Sequence, residues 1–102
     1  AAKNGMTPAY VAARQGRTAA LEVLVMAGCD VNQADTHGQT PAIIAVCKGH
    51  TAVLEVLVKA PGCDVNQAEK DGMTPAYIAA QEGRTAALEV LVMAGCDVNQ
   101  AN

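Results

Sequence analysis

Apolar residues in this chain fall into short blocks that open at Thr-Pro, close at Gly and recur in a fixed order. The first opens at Thr7-Pro8. Thr is a good N-cap because its hydroxyl accepts an orphan backbone N–H, and Pro suits the next position, where its missing N–H has no intrahelical partner. A helix is predicted over residues 8–15, stopping at Gly16. A second is predicted over residues 18–27, with Thr18 offered as its cap and Gly28 as the residue past its end. Within it Ala20, Val23, Leu24 and Ala27 fall at i, i+3, i+4 and i+7 and define the expected buried stripe, with Glu22 turned away. Residues 29–39, CDVNQADTHGQ, then read as an extended excursion with a tight turn at Thr36-His37-Gly38.

The same pattern returns at Thr40-Pro41 and at Thr74-Pro75, with spacings of 33 and 34 residues. Helices are predicted over residues 41–48, 51–60, 75–82 and 85–94, and a second turn at Lys70-Asp71-Gly72. Pro61 is the one inserted residue; just past a helix end it widens a loop without breaking the stack. Helices this short are marginal alone in water, so each needs its neighbours and each repeat needs the next. That is the quasi-one-dimensional stability of a solenoid, and a repeat in the thirties of residues is its signature. The expected organisation is one domain over residues 1–102, with repeats at about 2–34, 35–68 and 69–102.

Composition agrees with stacked helices. Of the 102 residues 51% are apolar, yet there is no Trp or Phe and only two Tyr, Tyr10 and Tyr77. Small apolar side chains suit closely apposed helices better than one bulky core. A net charge of −3 argues against a nucleic-acid partner, which needs a clustered Lys/Arg surface, and the few aromatics leave little for base stacking. No apolar run approaches the roughly 18 residues of a membrane span, and no charged n-region precedes an apolar h-region. No membrane association or secretion is expected; the expected location is cytoplasmic or nuclear.

Cys29, Cys63 and Cys96 hold one site in successive repeats. Stacked helices place such sites about 10 Å apart, and a disulfide needs Cα atoms within about 7 Å. Reduced, small apolar residues are therefore expected. Cys47 and His50, with His37 upstream, invite a zinc site or a Cys–His nucleophile. Zinc normally wants four ligands, and nothing in register completes the set. Cys47 also matches Arg14 and Gln81 in the other repeats, and His50 matches Arg17 and Arg84, so a helix-surface position is the better account. No Gly-rich phosphate loop or nucleophile elbow occurs, and neither a catalytic residue nor a cofactor is expected. Glu22, Glu55 and Glu89 look like a solvated face, with Glu55–Lys59 an expected i,i+4 pair. Met26 and Met93 share that face; a soft contact patch is one reading, scattered surface apolar residues the plainer one.

Thr-Pro entry, paired helices, a Gly-Cys-Asp-Val-Asn exit and a Gly-ended turn resemble the ankyrin repeat over nearly the whole chain. The resemblance implies an all-α solenoid with short β-hairpin loops, acting as a non-catalytic module for a protein partner. The family's Thr-Pro-Leu-His becomes Thr-Pro-Ala-Tyr at residues 7–10 and 74–77 and Thr-Pro-Ala-Ile at residues 40–43. The His that ties hairpin to helix is thus absent, and Ala for Leu removes burial of roughly 1.5–3 kcal/mol per site if nothing fills the space. Asn32 and Asn99 fit the spacing at which such repeats can be hydroxylated; satisfying hairpin backbone groups is the stronger reading for Asn32, Asn66 and Asn99.

Carried over by matching position, partner contacts are expected at the tips Lys3, Asn4, Met6, Thr36, His37, Gln39, Lys70, Asp71 and Met73. On the concave helix face they are expected at Arg14, Gln15, Cys47, Lys48, Gln81 and Glu82. Residues 4–34 and 71–101 differ at four positions only: Asn4, Val11, Arg14 and Gln15 become Asp71, Ile78, Gln81 and Glu82. Both ends also lack the polar capping repeats that solenoids use for solubility. That leads to two expectations: end-to-end self-association, and an excised or engineered array with no evolved partner as the alternative function.

Overall fold

A computed structural model describes residues 5–95. The described chain forms six helices: α1 (Pro8–Gln15), α2 (Thr18–Met26), α3 (Pro41–Lys48), α4 (Thr51–Lys59), α5 (Pro75–Gln81) and α6 (Thr85–Met93). The first helices of the repeats pack in series, α1 on α3 on α5, and the second helices do the same, α2 on α4 on α6. Every substantial helix contact lies within a repeat or between adjacent repeats. The first and third repeats therefore meet through the second.

The Thr-Pro entries act as expected. Thr7, Thr40 and Thr74 accept from the backbone N–H groups of Tyr10, Ile43 and Tyr77 at 3.1, 3.2 and 3.1 Å, a side-chain cap on each first helix. The second helices start differently. Arg17, His50 and Arg84 are their N-caps without a side-chain bond, and Thr18 is already the first helical residue. The two-residue turn explains this: the Thr18 N–H donates to the Gly16 carbonyl at 3.0 Å while the Arg17 N–H reaches back to Ala12. Gly16 and Gly49 make that turn in the left-handed region, at φ 71° and 75°.

Four helices end one residue earlier than predicted, with Ala27, Ala60, Glu82 and Ala94 as C-caps. Ala60 is the divergent one. Its ψ is 138°, against −2° at Ala27 and 0° at Ala94, because Pro61 drives the preceding residue out of the helical region.

The core sits in the middle repeat, where Ile43, Val46, Val53, Leu54 and Leu57 are fully buried, joined by Leu21 and Leu91 from either side. This corrects the expected stripe of the second helix. In α2, Ala20, Val23 and Ala27 are exposed and Leu24 is half-buried, while Leu21 is the buried residue. The stripe's counterparts in α4 are Val53, Val56, Leu57 and Ala60, all buried except the half-buried Val56. A helix inside a stack has a neighbour on both sides and buries two faces; α2 has a neighbouring repeat on one side only. The Ala residues that stand for the family's Leu are closed over, with Ala9 2%, Ala42 3% and Ala76 9% exposed.

No strand occurs among the described residues, so the expected hairpins are turns. Asp35 N–H donates to the Gln39 carbonyl at 3.0 Å, and Glu69 N–H to Met73 at 3.0 Å. The acidic side chains finish the turns. The Asp35 carboxylate accepts from His37 and Gln39 N–H groups, and that of Glu69 from Asp71 and Met73. One bond joins successive tips, from Lys70 N–H to the His37 carbonyl at 3.3 Å.

Candidate functional site

The shared Thr-Pro start and near-equal length of α1, α3 and α5 bring their C-terminal ends into one row. That row carries Arg14 and Gln15, then Cys47 and Lys48, then Gln81 and Glu82. Gln15, Lys48, Gln81 and Glu82 are exposed, as are Thr36, His37, Lys70 and Asp71 at the tips. Arg14, Cys47, Met6, Gln39 and Met73 are half-buried. Arg14 Nη1 lies 3.2 Å from Met6 Sδ, which joins the end of α1 to its own entry segment. Lys3 and Asn4 lie outside the described residues, as do Cys96 and Asn99. Charge changes along the row, from Arg14 and Lys48 to Glu82. Glu82 has a long exposed ion pair with Arg84 at 3.8 Å, worth about 0–1 kcal/mol. Among the described residues this is the ion pair that forms; the expected Glu55–Lys59 pair does not.

Cys47 lacks the surroundings of a nucleophile. Burial pushes its thiol up, and the Glu82 carboxylate adds to this against Lys48 and Arg84. A thiol held protonated is a poor nucleophile and metal ligand. Among the described residues no three His, Cys, Asp or Glu side chains are grouped to hold a metal. His50 has a packing role instead. Its ring covers the Gly16 turn so closely that a Cβ there would lie 2.9 Å from Cε1. Arg84 does the same one repeat on: its Nη1 would lie 3.1 Å from a Cβ at Gly49, and Nη2 donates to the Cys47 carbonyl at 3.1 Å. His50 and Arg84 thus each lid the turn of the repeat before. Cys29, Cys47 and Cys63 are free. Burial raises the Cys63 thiol to about 11, with Asp64 adding to it.

Two further side chains supply ties between repeats, besides Arg84. Tyr10, at the position of the missing His, is 4% exposed. Its hydroxyl lies 3.5 Å from Gln39 Oε1, long for a hydrogen bond, and also reaches the Asp35 carboxylate. The hydrogen bond of this hydroxyl is the one to Gln39, and the Asp35 carboxylate acts on its ionisation. Burial, then Asp35, raises the Tyr10 hydroxyl to about 12. Burial of Asp35 opposes its ionisation, but Tyr10 and the Gln39 and His37 N–H groups outweigh it and hold the carboxyl below its usual value. The two shifts act at opposite ends of the pH range. The Asp35 contribution is present above its unfolded value of 3.8 and is lost as pH falls through the lower folded value. The Tyr10 contribution is present below 10.0 and is lost as pH rises towards about 12. Tyr10→Phe is therefore expected to melt lower than the wild type at pH 7 and to show a flatter fall in melting temperature at both extremes. Parallel pH–stability curves for the two proteins would contradict the tie.

Asn32 is the second tie. Its Nδ2 donates to the Gly62 carbonyl at 2.6 Å and its Oδ1 accepts from Asp64 N–H at 2.7 Å. The expectation that this Asn satisfies loop backbone holds, with the difference that the loop belongs to the next repeat. Asn32→Asp keeps the acceptor but turns a carboxylate oxygen towards the Gly62 carbonyl. A loss of about 1–3 kcal/mol is expected by urea melt at neutral pH, recovering as the new carboxyl is protonated; equal loss at all pH values would contradict the clamp.

Stacked helix pairs joined by turn tips, each resting on the next, define a helical-repeat solenoid. A family profile described as "Ankyrin repeats (3 copies)" matches residues 11–102. None of the curated proteins compared matches the chain. Among solved structures, an ankyrin repeat domain from Acinetobacter baumannii AYE is similar, with 30% identity and a TM-score of 0.87 over 93% of this chain and 50% of that one. The chain thus spans about half the length of that structure. It belongs to the ankyrin-repeat family.

Ankyrin repeats are in general protein-interaction modules without catalysis. No helix among the described residues is long and apolar enough to cross a membrane.

Proposed function

We propose that this chain binds a protein partner across the turn tips and the C-terminal ends of α1, α3 and α5. One observation carries the reading. Residues 4–34 and 71–101 differ at four positions, and two of them, Arg14→Gln81 and Gln15→Glu82, lie in that row. Apart from the conservative apolar swap of Val11 and Ile78 the frame is copied, while the polar side chains of the row change, which is where binding chemistry has room to differ between repeats. The row's charge, basic at Arg14 and Lys48 and acidic at Glu82, favours a partner of opposite polarity along the same direction. The reading carries no catalytic residue and no cofactor.

The test starts from a partner captured with the wild-type chain and titrated against single variants. Lys48→Ala, Gln81→Ala and Lys70→Ala are expected to weaken binding several-fold each, and the loss at Lys48 to shrink as salt rises. Glu22→Ala, on the outer helix face, is expected to bind like the wild type. Full binding by all row and tip variants would overturn this surface.

A further inference from the structure

We infer that the outer face of α2, α4 and α6 docks a basic amphipathic helix of a protein partner, laid across the three helices with its apolar side chains in the two grooves between them. The inference is independent of the tip surface, which lies on the first helices and the turns. Two grooves separate the second helices, one of about 300 Å³ between α2 and α4 and one of about 280 Å³ between α4 and α6. Val25, Met26 and Val56 supply apolar walls of the first, and Val58, Val90 and Met93 those of the second. Met26 and Met93 are 87% and 89% exposed. A thioether side chain at a groove's edge is flexible and polarisable and moulds to an apolar guest. Both grooves lie between adjacent repeats, on a side of the stack that a preceding or following repeat does not cover. Glu55 and Lys59 show this: α4 is flanked by a second helix on both sides, and both residues are still exposed.

Charge selects the guest. Glu22, Glu55 and Glu89 hold one position in the three helices, all are exposed, and among the described residues none of them has an ion pair. Glu22 and Glu55 border the first groove, and Glu55 borders the second as well. The row thus sets three carboxylates against the single cation Lys59, which attracts a basic partner and repels an acidic one. Spacing selects its shape. Helices in contact lie about 8–10 Å apart, and seven residues of α-helix rise about 10.5 Å. A helix crossing α2, α4 and α6 therefore brings every seventh residue over successive glutamates. Residues three and four places after each of those lie midway, over a groove. Lys or Arg at the first positions and Leu-like side chains at the second form one continuous stripe, since i, i+3, i+4 and i+7 share a helix face.

The probe is a labelled synthetic peptide of about 20 residues, which as a helix spans about 30 Å. It carries Lys at every seventh residue, Leu three and four places after each Lys, and Ala and Gln elsewhere. Fluorescence anisotropy is expected to show saturable binding to the wild-type chain, weakening as salt rises. A peptide with Glu for each Lys is expected to bind several-fold more weakly. So is one of the basic peptide's composition with its Leu residues spread round the helix. Glu55→Lys reverses the charge that both grooves share, and the double change Met26→Lys with Met93→Lys removes an apolar wall from each. Both are expected to weaken the basic peptide several-fold. These sites are exposed and Lys59 already holds the Met position in α4, so melting curves like the wild type's are expected; the comparison of peptides on the wild type stands without the variants. No saturable binding of the basic peptide up to millimolar, equal binding of the acidic or rearranged peptide, or full binding by either variant would each overturn the inference.

Discussion

Leu54→Ala is expected to destabilise the chain by about 2–5 kcal/mol, and Leu88→Ala by under about 1 kcal/mol. The two residues hold one position in successive repeats. Leu54 is fully buried, in a middle repeat covered on both sides, and its truncation leaves a cavity that surrounding helices close only in part. Leu88 is half-buried in the third repeat, where solvent already reaches it. A domain of this size has a total stability of roughly 5–15 kcal/mol, so the first change removes a large share and the second little. Urea melts measure the difference. Similar losses at the two sites would mean that burial does not follow position along the stack.

The second large effect is expected at Gly38. Its φ is 79°, and a Cβ there would lie 2.7 Å from the Lys70 backbone nitrogen in the next turn tip. Gly38→Ala therefore combines left-handed strain with a collision between backbones that have no flexible side chain to yield. Gly62 separates the two terms: its φ is 80°, but nothing lies within 4 Å of the added atom. Gly62→Ala is expected to lose about 1 kcal/mol from backbone strain alone. Gly38→Ala is expected to lose about 2–3 kcal/mol and to disturb the Lys70 N–H bond to the His37 carbonyl. Loss of hydrogen-exchange protection at the Lys70 amide in the Gly38 variant, with retention in the Gly62 variant, would locate the clash. Equal effects would contradict the tip-to-tip approach.

Helix starts were legible in the sequence because Thr-Pro carries a local mechanism, a hydroxyl cap and a missing N–H, that no tertiary contact needs to assist. Helix ends were legible to one residue, and the divergent backbone of the Ala60 C-cap follows from its neighbour Pro61. Burial was less legible. The period of α2 marks which residues share a face, but Leu21 and Val23 differ in burial because a second repeat lies on one side of α2 and not the other. A pattern within one helix does not count its neighbours. The ties between repeats were the least legible. Asn32 bonds a loop some 30 residues on, and Tyr10 substitutes for an absent His through a longer reach. The rise from His50 and Arg84 over the preceding Gly turns had a signal in the repeated Gly-Arg/His-Thr, which reads at first as a simple connector. Within the candidate site, exposure of Thr36, His37, Lys70 and Asp71 at the tips followed from turn chemistry; the half-burial of Met6, Gln39 and Met73 and the contacts of Arg14 with Met6 and of Gln39 with Tyr10 depend on how the repeats settle on one another.

Amide hydrogen exchange on the native chain at low concentration tests the layered account most directly. Opening free energies are expected to be highest in α3 and α4 and to fall towards α1–α2 and α5–α6, because only the middle repeat is held from both sides. Amides of the first and third repeats that are as protected as those of the second would show that something other than the adjacent copy holds the ends, and the account would fail.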